Sequence, residues 1–150
     1  MTEAKNIKIG LTGYSGAKFN EKIAAALVSS ALSLVEEISF DENMDTPLSF
    51  TLVSGYTDLG IPAIGYRIAH RMGWETTGIA CEKAKEYTTY PVDHAIIVGT
   101  EWGEESETFL GHIDMLVRVG GGKQAIKETE EAKKRGIKVL EFDLPEKPKK

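Results

Sequence analysis

The sequence predicts an α/β domain of Rossmann-like type, a three-layer sandwich built on a mostly parallel sheet. Short apolar runs alternate along the chain with longer segments of helical periodicity. Three of these runs, 7–11, 50–53 and 117–119, end in turns rich in glycine and hydroxyl residues before a helical segment. Strands joined by right-handed helical crossovers run parallel, so we expect these turns to gather at one edge of the sheet.

The predicted strands and helices alternate along most of the chain. Strands are predicted over about 6–12, 48–54, 75–81, 95–99, 115–119 and 137–142. Helices are predicted over about 18–37, 61–72, 104–112 and 123–135, with a polar linker at 41–47. Pro62 suits the first turn of its helix, and Gly136 suits a helix end. Helical spacing in the first helix predicts that its sheet-facing side is Ile23, Ala26, Leu27, Ser30, Leu34 and Val35.

Length and composition set the domain organisation. The 150 residues are 41% hydrophobic and 27% charged, which suits one globular domain with a substantial core. We therefore expect a single domain over 1–150, with 144–150 as a frayed tail that ends in a basic Lys147–Lys150 segment.

Composition also excludes several function classes. The N-terminus lacks a signal-peptide pattern and no run of about 18 apolar residues occurs, so we expect neither secretion nor a membrane partner. The lone Cys81 permits no internal disulfide and fits a cytoplasmic location. A formal net charge of −5 disfavours nucleic-acid binding, which depends on clustered cations.

The three consecutive glycines Gly120, Gly121 and Gly122 are the most informative motif. They follow an apolar strand and precede a helix that begins near Lys123 and Gln124. Their lack of Cβ atoms lets backbone amides approach an anion, and a helix N-terminus adds positive potential. The motif predicts a phosphate-binding loop, and the alternative is a tight turn that binds nothing.

An acidic segment, residues 101–107, follows the predicted fourth strand. Glu101 could accept hydrogen bonds from ribose hydroxyls, and Ser106 could donate one to a phosphate. The carboxylates could also hold a divalent cation that accompanies the ligand. The alternative is an exposed first helical turn, where acidic side chains complement the helix dipole.

The turns at one sheet edge define a predicted binding site. Its members are Gly13, Tyr14, Ser15, Gly16, Ser54, Gly55, Thr57, Gly60, Gly99, Glu101, Ser106, Gly120, Gly121, Gly122, Lys123 and Gln124. Trp102 is the better placed of the two tryptophans for contact with a ligand. No resident metal or required cofactor is expected, because the three histidines show no ligand spacing with Cys81, for which burial is the better interpretation.

Several separated motifs resemble the Rossmann-like SLOG superfamily, which includes the lysine-decarboxylase-like (LOG) and SMF/DprA proteins. The matching segments are 54–60, 99–101, Asp114, 120–122 and Glu128, in the family's order, and the resemblance covers about residues 5–143. It implies a nucleotide-binding fold in which the loop of the P-G-G-x-G-T-x-x-E motif holds a nucleotide phosphate. It also implies that Glu128, which matches the closing glutamate of the motif, is the catalytic residue if the chain is a hydrolase.

The chain departs from that motif at several positions. Gly121, Gly122 and Glu128 match, whereas Gly120 stands at the proline, and Gln124 and Ala125 stand at the later glycine and threonine. Counting back from the matched aspartate places Glu105 where the hydrolases have an arginine. A carboxylate cannot stabilise the same developing negative charge.

Three functions follow as expectations. The first is binding or sensing of a nucleotide or nucleotide-derived, phosphate-bearing metabolite, without the family's catalysis. The second is hydrolysis of the N-glycosidic bond of a nucleoside 5′-monophosphate, with Glu128 polarising a hydroxyl or water. The third is a structural oligomerisation module. A homo-oligomer, most simply a dimer, is expected mostly because the resemblance implies pairing through helices. The first helix also carries apolar residues such as Leu32 outside the predicted stripe.

Overall fold

The computed structural model describes residues 4–14 and 19–145. The strands are β1 (Lys5–Gly13), β2 (Leu48–Ser54), β3 (Glu75–Ala80), β4 (His94–Ile97), β5 (Met115–Val119) and β6 (Lys138–Phe142). The α-helices are α1 (Glu21–Glu42), α2 (Gly60–Arg71), α3 (Ser106–Gly111) and α4 (Lys123–Lys134), and a short 3₁₀ helix covers Glu82–Glu86. The six strands form one sheet in the order β4-β3-β2-β1-β5-β6, and every described pairing of neighbours in it is parallel. The predicted α/β fold is confirmed.

Alternating side chains of the sheet separate the core into two parts. On one face, Ile9, Leu52 and Val117 pack with α1 and α2. On the other face, Val53 and Leu116 pack with α3 and α4. Helices therefore cover both faces of a buried parallel sheet, as the three-layer prediction requires.

Helix α1 is correct in position but wrong in orientation. Its buried side is Ala24, Val28, Ala31, Leu32, Val35 and Ser39, so Val35 is the one buried member of the predicted stripe. Leu27 of that stripe is half-buried and also packs against the core. Ile23 is 52% exposed and Leu34 is 40% exposed. The helix is apolar on two sides, and its periodicity does not reveal which side packs on the sheet.

The bounds of α1 also differ from the prediction. The helix starts after Asn20, whose side chain accepts a hydrogen bond from the backbone N–H of Ile23. It continues to Glu42, through the start of the predicted linker at 41–47. By length and composition α1 is apolar enough to cross a membrane, a test that core helices of folded domains also pass.

The end of the chain is packed further than the sequence suggests. Leu144, where the predicted tail begins, is 3% exposed and belongs to the main core. Residues 146–150 lie outside the described part of the chain.

Candidate functional site

A cavity opens at the carboxyl edge of the sheet, between the ends of β1 and β2 and the start of α4. Its volume is about 120 Å³, well above the roughly 10–15 Å³ that one water needs. We call it the inner cavity. It is lined by Leu11, Thr12, Gly13, Ser54, Gly55, Tyr56, Thr57, Pro62, Ile79, Ala80, Trp102, Glu105, Phe109, Gln124, Ala125 and Glu128.

Glu128 is the centre of a buried hydrogen-bond network in this cavity. Thr12 Oγ1 on β1 and Ser106 Oγ on α3 each donate to its carboxylate at 2.7 Å. Gln124 Nε2, one turn earlier on α4, donates to it at 3.3 Å. Burial raises the pKa of Glu128, the three hydrogen bonds oppose that rise, and nearby Glu105 adds to it.

Glu105, which stands at the family's arginine position, lies near Glu128 in this cavity. It is 6% exposed, and its carboxylate accepts hydrogen bonds from the backbone N–H of Gly103 at 3.0 Å and from Gln124 Nε2 at 2.9 Å. The Gln124 amide therefore bridges the two carboxylates. Among the lining residues that the structure describes, none is Lys, Arg or His, so the inner cavity is acidic.

The three glycines of the predicted phosphate loop are not equivalent. Gly120 has a φ of +73°, lies against the Tyr14 ring, and uses its amide to donate to Phe142 O at 2.8 Å. Gly120 is therefore a structural position, because a Cβ there would overlap the tyrosine. Gly121 and Gly122 are open: a Cβ at Gly122 would meet nothing within 4 Å among the described residues.

Arg118 stabilises this loop by a hydrogen bond to the Gly120 carbonyl. Its guanidinium donates to Gly120 O and to the carboxylates of Glu141 and Asp143. The side chain is nearly buried, with 10% of it exposed. Arg118 is therefore engaged in the fold and does not line the inner cavity.

Helix α4 begins directly after the open glycines. Gly122 occupies the N-cap position, with no side-chain hydrogen bond to cap the helix. The first amides of a helix have no partner within the helix, and its dipole places positive potential at this end. A phosphate or carboxylate suits this position.

The predicted residues of the first two turns mostly line the inner cavity, but their polar groups serve the fold. Gly13 lets the ends of β1 and β5 approach, because a Cβ there would overlap Val119 O. Ser54 Oγ donates to Leu11 O at 2.7 Å, and Gly55 O accepts from Tyr66 at 2.7 Å. Thr57 also lines the cavity.

Other predicted residues lie outside the inner cavity. Gly60 begins α2, and Gly99 lies against the side chain of Glu104. Both glycines have a positive φ. Glu101 is exposed and forms an ion pair with Lys83. Ser15 and Gly16 lie outside the described residues.

A second depression, the outer groove, adjoins the inner cavity between α3 and α4. Its volume is about 800 Å³. It is lined by Trp102, Gly103, Glu104, Ser106, Glu107, Leu110, Lys123, Gln124, Lys127, Glu128, Glu131 and Arg135. The predicted residues Ser106, Lys123 and Gln124 therefore meet here, beside the inner cavity.

The sequence reasoning missed part of the cavity wall. Thr12, Phe109 and Ala125 line it, and only the position of Thr12 at the end of a strand gave a signal in advance. Trp102 lines both the inner cavity and the outer groove. Cys81 is fully buried, and the described residues contain no group of three or more His, Cys, Asp or Glu that could hold a metal.

The described elements form an α/β Rossmann-like domain with a cavity at the carboxyl edge of its sheet. No protein-family model and no curated protein matches the sequence. Solved structures do share the fold. TM1055, a structural genomics target, has a TM-score of 0.64 and 19% identity, over 89% of this chain and 72% of its own.

Two further structures come from named organisms. The Moco carrier protein from Chlamydomonas reinhardtii has a TM-score of 0.70 and 20% identity, over 92% of this chain and 76% of its own. The molybdenum cofactor binding protein from the phototrophic bacterium Rippkaea orientalis has a TM-score of 0.67 and 17% identity, over 95% and 78%. These likenesses confirm the fold that the resemblance in the sequence implied.

Proposed function

We propose that this protein binds a nucleotide or nucleotide-derived, phosphate-bearing metabolite, without the hydrolysis that its sequence resemblance suggests. The observation that carries this proposal is that Gln124 and Ala125, in the uncapped first turn of α4, line the inner cavity. Gly121 and Gly122, which line neither depression, lie directly before this turn in the chain and leave its approach open. Two proteins of the same fold are described as carrying or binding the molybdenum cofactor, a small molecule, which supports ligand binding.

The phosphate belongs at the start of α4 and not in the inner cavity. Gly121 and Gly122 leave room for an anion beside the first amides of the helix, and Lys123 lies on the adjoining outer groove. The inner cavity holds Glu105 and Glu128, which repel an anion. A divalent cation bound with the ligand would reduce this repulsion.

Electrostatics oppose base release by this site. A hydrolase of this type needs positive charge where negative charge develops, and the described lining residues supply none. Arg118 cannot provide it, because its guanidinium is bonded to Gly120, Glu141 and Asp143. Among the described residues, Glu128 therefore has no cationic partner.

One observation favours the second candidate, a phosphoribohydrolase. Glu128 is a buried carboxyl in a cavity with a raised pKa, which is a property of general acids and bases. The experiment mixes the purified protein with AMP, GMP, CMP and UMP, and measures thermal stabilisation and released free base. Stabilisation without base release supports the proposal. Base release that Glu128→Ala abolishes supports the hydrolase.

Failure of every monophosphate to stabilise the protein would contradict the proposal. Native mass spectrometry of freshly purified protein then searches for a bound metabolite that the panel lacks. A co-purified phosphate-bearing compound would support the proposed binding function. If no such compound is found, the remaining candidate is a structural oligomerisation module.

We also propose that two copies pair through the exposed side of α1. Leu32, which the sequence expectation named, is fully buried and cannot contribute. Ile23, Leu34 and Phe40 are instead 52%, 40% and 47% exposed on this helix. An apolar helix side of this kind suits a two-fold interface. A cytoplasmic location, with no nucleic-acid or membrane partner, completes the proposal.

A further inference from the structure

The inner cavity has the wrong charge for the anionic part of a nucleotide. Glu105 and Glu128 are each 6% exposed and both line it. The described lining residues include no cationic side chain. Buried carboxylates without a cation favour hydrogen-bond donors and disfavour anions. The part of a ligand that enters this cavity therefore carries N–H or O–H donors.

The carboxylate of Glu105 retains the capacity to accept such donors. One of its oxygens accepts from the backbone N–H of Gly103 and the other accepts from Gln124. An ionised carboxylate offers about four acceptor positions. Two positions, one on each oxygen, are thus left for a ligand that presents two adjacent donors.

The cavity walls suit a flat ring. Phe109 and Ile79 supply apolar surface within the cavity. At its mouth Trp102 is 46% exposed, and its ring centroid lies 5.8 Å from that of Tyr87, which is 51% exposed. Exposed aromatic side chains beside a cavity provide a stacking surface for a planar heterocycle.

We propose, on the basis of the function proposed above, that the inner cavity receives a planar nitrogen heterocycle with two adjacent N–H donors on one edge. Glu105 is the specificity-determining residue that accepts from both donors. The 2-amino-4-oxo edge of guanine, shared by pterins, has a ring N–H next to an exocyclic amino group. Paired N–H donors match the two oxygens of a carboxylate. Hypoxanthine lacks the amino group, and adenine places an acceptor next to its own.

GMP and IMP provide the matched test, because they differ only in that amino group. Calorimetry measures both dissociation constants for the natural protein and for Glu105→Gln. We expect GMP to bind about tenfold to a hundredfold more tightly than IMP, as for a hydrogen bond to a charged group. Glu105→Gln should bring the two constants within about threefold, because GMP loses two hydrogen bonds to a charged acceptor and IMP loses one. Glu130→Gln, an exposed position on α4 that lines neither depression, is the control and should preserve the discrimination.

Equal affinity of the natural protein for GMP and IMP would overturn the inference, and so would discrimination that survives in Glu105→Gln. Equal binding of all monophosphates leaves the proposed function intact. Guanosine and inosine separate the two proposals, because they carry no phosphate. Preference for guanosine with no gain from the phosphate would remove the phosphate site and keep the role of Glu105. If Glu105→Gln does not fold, the ratio of the GMP and IMP dissociation constants of the natural protein still tests the inference.

Discussion

Gly121→Val tests the phosphate site without disturbing the fold. A Cβ at Gly121 would have its nearest contacts at 3.9 Å, with Ile126 Cδ1, and at 4.0 Å, with the Tyr14 hydroxyl. The added side chain therefore has room, whereas substitution of Gly120 would overlap the Tyr14 ring. The valine methyl groups would occupy space on the loop that an anion needs.

The magnitude follows from linkage between binding and folding. A ligand at a hundredfold excess over its dissociation constant stabilises the native state by about 2.7 kcal/mol. For a domain of this size each kcal/mol raises Tm by about 2–4 °C, so the natural protein should gain roughly 5–11 °C. Gly121→Val should lose nearly all of that gain.

The assay is thermal unfolding with and without whichever monophosphate stabilises the natural protein. Gly111→Val is the matched control, because Gly111 ends α3 in open space and lines neither depression. The control should keep the full gain in Tm. A folded Gly121→Val protein that the ligand still stabilises to the same extent would refute the phosphate site.

Three further predictions concern charge and assembly. Because the pKa of Glu128 is raised above 4.5 in the folded protein, the native state holds that proton more tightly. The contribution of Glu128 to the free energy of unfolding therefore falls as pH rises from about 4.5 through the raised pKa. Glu128→Gln should lack this fall in urea unfolding measured from pH 4.5 to 8, and parallel curves would contradict the raised pKa. Glu105→Arg should abolish any preference for GMP over IMP in calorimetry, because a guanidinium donates hydrogen bonds and cannot accept them from the paired N–H donors, and an unchanged preference would contradict the role of Glu105. Leu34→Glu should convert a dimer at tens of micromolar to a monomer in light scattering, whereas Ile126→Glu, on the opposite layer, should not; a monomeric natural protein would exclude the interface.

The sequence alone determined the order of strands and helices and the edge at which their turns meet. Alternation of apolar and helical segments depends on local periodicity, which a single chain displays directly. The same alternation implies parallel pairing wherever a predicted helix joins two strands. The parallel pairing of β3 with β4, between which no helix was predicted, came from the structure. Counting along the resemblance to the SLOG motif placed Glu105 at the position of the family's arginine, and the structure brings Glu105 and Glu128 into one cavity.

Only the tertiary structure decided which side of α1 is buried and which glycines remain open. Ile23 and Leu34 follow a helical spacing as regular as that of Val28 and Leu32, so the choice depends on fit against the sheet. The use of the Gly120 amide by Phe142 depends on a strand more than 20 residues away in sequence. The hydrogen bonds of Arg118 to Glu141 and Asp143 likewise join residues more than 20 positions apart in sequence. A local sequence pattern shows which hydrogen bonds a residue is able to form. Long-range packing decides which of those hydrogen bonds are formed within the fold and are therefore not available to a ligand.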